Sequence, residues 1–176
     1  MNKRAVSIGL LYSVLAIIFK LVILLGGYTL TKFGFYYSNI VTVLFTLPFF
    51  FLAIYLVREK DLGGIISGKD AMRMAMTVLG ISVIILSVYN YIEFNWKFKD
   101  IATQYYQGNE YLEILKTQQK KYPDKIKVEN FPGIIQEQLS SLSAFKATTG
   151  KLIPLLFIGV GGAFISAILL KRSTKK

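Results

Sequence analysis

Apolar residues run in four blocks along the chain, at residues 5–25, 34–57, 74–96 and 152–170, with charged residues concentrated between them. A helix needs roughly 20 residues to cross a hydrocarbon core of about 30 Å, and each block reaches about that length. The period-two alternation of a barrel strand is absent, so the blocks predict helices, which satisfy their own backbone hydrogen bonds in lipid. Between the third and fourth blocks, residues 97–151 have a polar composition. There Ile101, Tyr105, Leu112 and Leu115 recur at nearly helical spacing, Tyr122-Pro123-Asp124 and Phe131-Pro132-Gly133 punctuate, and Ile135, Leu139, Leu142 and Phe145 recur again. The pattern predicts an all-α integral membrane protein, a single membrane domain over residues 1–176. It has four transmembrane helices and an external amphipathic helical hairpin between helices 3 and 4, whose arms continue helix 3 and lead into helix 4.

Composition agrees with the pattern and removes much chemistry. The 176 residues are 53% apolar and 18% charged, with a mean hydropathy of +0.49, outside the usual range of soluble domains. Histidine and cysteine are both absent. That excludes thiolate and imidazole metal sites, a Ser-His-Asp triad, a cysteine nucleophile and disulfides, so neither a metal nor a cofactor is expected. No glycine-rich loop follows a phosphate-binding or dinucleotide spacing. The first block follows Met1-Asn2-Lys3-Arg4 like a signal peptide, but at about 21 residues it exceeds the roughly 7–15 of a signal core, and Gly26-Gly27-Tyr28 is a poor cleavage site. A retained first helix is expected.

Charge sets the expected orientation. With the N-terminus inside, ten basic residues fall inside: Lys3, Arg4, Arg58, Lys60, Lys69, Arg73, Lys171, Arg172, Lys175 and Lys176. Ten also fall outside, Lys32 and nine lysines within 97–151, but over a much longer stretch. Short segments near helix ends decide orientation, and all four arginines lie on the inner side, so both termini are expected in the cytoplasm of a bacterial inner membrane. The net +11 divides into +7 inside and +4 outside. It reads as topology and attraction to anionic lipid rather than nucleic-acid binding, since no single basic patch exists. Tyr28, Tyr36, Tyr37, Tyr89, Tyr91 and Trp96 gather at the expected outer helix ends, the level of an aromatic belt.

Small residues mark the packing faces. Gly9, Ser13, Ala16, Lys20 and Gly27 share a narrow arc of helix 1, and Gly159, Gly162, Ala163 and Ser166 share one face of helix 4. Ser82, Ser87, Asn90 and Glu93 occupy about a third of helix 3, and Pro48 is expected to kink helix 2. Charges in hydrocarbon are costly, so Lys20 and Glu93 are the candidate functional pair, an ion pair across helices 1 and 3 with Asn90 completing its hydrogen bonding. The bland reading is a structural clasp; the functional one is an ion relay or a headgroup site. The external lysines Lys116, Lys120, Lys121, Lys125 and Lys127, with Tyr105, Tyr106 and Tyr111 nearby, read either as a solvated face or as a surface for phosphate-bearing lipid or glycan.

The order of these features resembles an uncharacterised family of four-helix inner-membrane proteins of Bacteroidota, a domain of unknown function. The resemblance rests on Gly-Lys-Asp-Ala at 68–71, Tyr-Asn-Tyr-Ile-Glu-Phe-Asn at 89–95, Asn-Glu-Tyr at 109–111 and a Gly/Ala-rich last span ending Leu-Leu-Lys-Arg at 169–172. It implies the four-helix topology and a membrane-associated glycosyltransferase as a partner, and it assigns no activity. The family pattern has an aromatic or apolar residue where this chain has Glu93. The expected function is therefore a non-catalytic accessory or scaffold subunit, in contact with the lipid bilayer and with a membrane-protein partner or a second copy. The alternative is a small transporter or lipid-handling protein acting through Lys20 and Glu93.

Overall fold

The computed structural model describes residues 2–31, 33–123 and 125–172. Met1, Lys32, Asp124, Lys175, Lys176 and the side chain of Tyr36, all used above, lie outside the described residues. Among the described residues eight α-helices follow one another: α1 Lys3–Leu25, α2 Ser38–Leu44, α3 Thr46–Asp61, α4 Gly68–Glu93, α5 Lys99–Gln107, α6 Asn109–Lys121, α7 Phe131–Ser141 and α8 Ala144–Leu170. Four helical stretches are long and apolar enough to cross a membrane: Lys3–Leu25, Ser38–Asp61, Gly68–Gln107 and Ala144–Leu170. Helices α3 and α4 touch at the centre, and α1 and α8 each pack against both.

Local chemistry fixes the boundaries. Asn2 caps α1, its Oδ1 accepting from the Arg4 and Ala5 amides at 2.9 and 3.3 Å. Ser67 caps α4 through the Asp70 amide at 3.0 Å. At the far end of α1, Gly27 takes φ +75, a left-handed conformation that favours glycine, so the chain leaves the helix there. Gly27 is therefore a terminator and not part of the packing stripe. Helix 2 is interrupted for one residue at Phe45, which keeps near-helical φ −65 and ψ −13, so the stretch Ser38–Asp61 continues past it. Pro48 sits in the first turn of α3, where its missing N–H is tolerated, and its ring disfavours a helical carbonyl at Leu44, where α2 stops. Tyr12 crosses to this break. Its hydroxyl donates to the Thr42 carbonyl at 2.8 Å and accepts from Thr46 Oγ1 at 2.9 Å, which satisfies buried groups beside the interruption.

The small-residue faces are used inside the bundle. Gly9 meets α4 so closely that a Cβ there would lie 3.0 Å from Ile81 Cβ and 3.2 Å from the Val78 carbonyl. A Cβ at Gly159 would lie 2.6 Å from Leu79 Cδ1, and one at Gly162 would overlap Leu47. Ala16 and Ala163 are buried on the same faces. The buried hydroxyls of Ser13, Ser82 and Ser166 each donate back to the carbonyl four residues earlier at 2.7 Å, so they need no partner from another helix. Away from these contacts the helices present large apolar side chains outward, Phe157 being 79% exposed, as a lipid-facing surface requires.

The segment between the third and fourth spans differs from a two-armed hairpin. A wider, π-type turn over Phe94–Phe98 joins α4 to α5 without a break, giving 40 helical residues from Gly68 to Gln107. Gly108 then takes an extended conformation and separates α5 from α6. The last arm is also divided, because Leu142 leaves helical geometry and Ser143 caps α8, its Oγ accepting from the Lys146 amide at 3.2 Å. Helix α8 thus starts at Ala144, well before the apolar block that begins at residue 152. Helices α5, α6 and α7 form a lobe with its own core of Tyr105, Tyr111, Leu115 and Phe131. Tyr105, Tyr106 and Tyr111 pack on one another with ring centroids 4.9–6.1 Å apart, so they build the lobe rather than a tyrosine-lined lysine surface.

At the opposite end, Asp61 receives Arg4 Nε at 2.6 Å and Asn2 Nδ2 at 3.0 Å. Ile66 and Arg172 exchange two backbone bonds of 3.0 Å, and Arg58 Nη1 donates to the terminal α8 carbonyl of Leu170 at 3.2 Å. Helices α1 and α8 are each tied here to α3, and the segment before α4 to the residue that follows α8.

The close contact at Gly9 has a clean control in Gly161, where an added Cβ would meet nothing within 4 Å. Gly9→Leu is expected to lower stability by about 1–3 kcal/mol, as overpacking does, and Gly161→Leu by less than about 0.5 kcal/mol. Reversible unfolding in mixed micelles, titrated with a denaturing detergent, measures both.

Candidate functional site

The helix stripe that carries Gly9, Ser13 and Ala16 inward also carries Lys20, one turn further on, into the bundle at the lobe end. Lys20 is 7% exposed and Glu93 5%. Both line one small cavity of about 20 Å3, together with Asn39, Lys151, Phe98 and Ser38. Each spanning stretch supplies a polar member: Lys20 from the first, Asn39 from the second, Glu93 from the third and Lys151 from the fourth.

The pairing differs from the one the sequence suggests. Glu93 Oε2 is bound by Lys151 Nζ at 2.6 Å, and its Oε1 accepts from Tyr89, one turn back on the same helix, at 3.0 Å. Lys20 instead donates to Asn39 Oδ1 at 3.0 Å. Its position one helix away from Glu93 gives attraction without direct contact. Asn90 does not complete the pair, since its Oδ1 is buried with no hydrogen-bond partner. It lines a second, inner cavity of about 10 Å3 shared with Lys20, Asn39 and Lys151.

Lys151 is the residue that sequence reasoning missed. It precedes the fourth apolar block and so counts as a loop charge. Yet Lys151, Leu155, Gly159 and Gly162 continue one stripe of α8, and that spacing is the signal that turns Lys151 inward. Its side chain is 12% exposed, and its ammonium also lies over the Phe98 ring, 4.1 Å from the centroid. Asn39 is legible only in retrospect, as one of several polar residues, with Ser38, Thr42 and Thr46, early in the second long stretch.

On the other side of Lys151 lies a vestibule of about 240 Å3, which shares Asn39, Phe98 and Lys151 with the small cavity and is also lined by Tyr106, Ser143 and Lys146. Two lysines and one carboxylate are thus gathered where hydrocarbon-length helices end, with a third lysine, Lys146, at the rim. The arrangement holds an excess of positive charge. It can bind an anion, orient a headgroup or clamp the four helices, and among the described residues no cluster of acidic side chains forms that could hold a metal.

Replacing Lys151 by Met leaves the Glu93 carboxylate buried without its cation and is expected to cost about 3–5 kcal/mol of stability. A double-mutant cycle over Lys151 and Glu93, read by unfolding in micelles, is expected to give about 1–3 kcal/mol of coupling. The corresponding cycle over Lys20 and Glu93 gives the smaller value.

Neither the curated proteins nor the solved structures contain a match to this chain. A family model described as "Protein of unknown function (DUF4199)" matches residues 4–172. The matched stretch takes in all four long helices, the lobe and every residue of the lysine site, and the chain belongs to this family of unknown function, DUF4199.

Proposed function

We propose that the chain is a non-catalytic subunit of a bacterial inner-membrane complex, with both termini cytoplasmic and the α5–α7 lobe outside, docking a membrane-protein partner through that lobe. One observation carries the reading. The lobe is folded around its own apolar core, and between α6 and the turn at Phe33–Tyr37 it leaves a groove of about 660 Å3. The groove is lined by Tyr37, Glu110, Glu113, Ile114, Gln118 and Lys121, among others, an amphipathic surface of the size at which ligands and peptide segments bind. The glycine faces of α1 and α8 pack within the bundle, which leaves the lobe as the better candidate for recognition. A membrane-associated glycosyltransferase fits the family resemblance as the partner, and a second copy of the chain is the competing occupant.

Orientation is supported by the dense basic residues on the termini side, including all four arginines. The cysteine-free chain is a ready background for labelling. In intact cells Thr117→Cys is expected to react with a membrane-impermeant maleimide, and Lys60→Cys to react only after permeabilisation; the reverse pattern inverts the topology.

Docking is tested with a photo-crosslinking amino acid placed at Thr117 or Gln118 in the groove and at Phe157 on the apolar face. The groove positions are expected to give a discrete protein adduct and Phe157 lipid adducts. A groove that yields no protein adduct, in a chain that runs as a monomer after mild solubilisation, overturns the reading.

A further inference from the structure

The lysine pocket shares no residue with the lobe groove, and its chemistry is unlike that of a docking face. An ammonium has three N–H donors, and Lys20 gives one of them to the neutral Asn39 amide. The single buried carboxylate, Glu93, is already held by Lys151 at 2.6 Å and by Tyr89. Two buried amino groups thus face one carboxylate, in surroundings where an uncompensated cation is expensive. A separate feature of the pocket is an unpaired acceptor, which calls for a donor group and not for an anion. Asn90, 2% exposed, aims an amide oxygen with no partner into the inner cavity beside both lysines. A ligand that belongs here brings negative oxygens for the lysines and a hydroxyl for Asn90.

We propose that the vestibule and the cavities behind it bind a phosphate group, held by Lys151 and Lys146 with Asn39 and backed electrostatically by Lys20. The vestibule, about 240 Å3, has room for a phosphate and its first substituent. The cavities behind it, about 20 and 10 Å3, have room for about one water each and relay the field of Lys20 and the acceptor of Asn90. The N-terminus of α8 lies at the same vestibule, where Ser143 lines it and takes up the Lys146 and Ala147 amides, so the helix end adds only its positive dipole. The same chemistry serves the headgroup of an anionic lipid lying at the end of the spans or a soluble phosphate that enters from the lobe side.

The test uses the purified full chain in zwitterionic detergent, with the thermal unfolding midpoint read against two probes at constant ionic strength set with potassium chloride. One probe is inorganic phosphate; the other is phosphatidic acid in phosphatidylcholine nanodiscs, with phosphatidylcholine alone as reference. Saturation by either probe is expected to raise the midpoint, because a ligand that binds only the folded chain stabilises it. A shift with phosphate identifies a soluble source and one with phosphatidic acid alone a lipid source, and both support the site. Lys146→Gln, at the exposed rim, and Lys20→Gln are each expected to weaken binding, Lys146→Gln by about ten-fold. Glu93→Gln, which removes the competing negative charge, is expected to strengthen it, a change of sign that a merely structural Glu93 would not produce. The proposal is overturned if neither probe shifts the midpoint, or if the shift survives unchanged in Lys146→Gln, whose rim position leaves the bundle packing intact.

Discussion

How closely the helix backbones approach one another governs most of this structure. In lipid the helices gain little from hiding apolar surface, so contact rests on packing, and packing this close needs residues without bulk. Gly9 against Val78 and Ile81, and Gly159 against Leu79, bring α1 and α8 onto α4. With the backbones that near, long side chains on the same stripes have nowhere to go but along the seam. Lys20 and Lys151 lie on those stripes, and the lysine pocket is a consequence of the glycine contacts beneath it.

The pocket then solves a problem in electrostatics at the level where the spans end. Glu93 is fully engaged by Lys151 and Tyr89, Lys151 is shared between a carboxylate and the Phe98 ring, and Lys20 leans on a neutral amide. The three charges are graded, from a tight pair to a cation with spare donors. The aromatic residues exposed around this level, Tyr28, Tyr37, Tyr91 and Trp96, are of the kind that sit at headgroup depth.

The four long apolar helices are legible in the sequence because length and hydropathy decide them without reference to any neighbour. The packing faces are legible too, since Gly9, Ser13 and Ala16, and Gly159, Gly162, Ala163 and Ser166, announce themselves by helical spacing. The hairpin pattern anticipates that helices 3 and 4 go on past their apolar blocks; what the sequence hides is which residues of those extensions turn inward. Helix α8 begins at Ala144 and α4 runs into α5 through a π-type turn, and both extensions are polar. Lys151 therefore reads as a loop charge, and Glu93 is given the wrong partner. The break at Gly108 is hidden for the opposite reason: the apolar spacing on its two sides nearly matches, and only the tertiary packing of Tyr105 on Tyr111 shows that the chain folds back there.

The uninterrupted helix from Gly68 to Gln107 has a mechanical meaning. At 1.5 Å per residue its 40 residues make a rod of about 60 Å, twice the thickness of a hydrocarbon core. The 26 residues of α4 are gripped by α1, α3 and α8, and the last nine, α5, belong to the lobe. Because no break in the helix separates the two parts, the orientation of α4 in the bundle sets the direction in which the lobe projects.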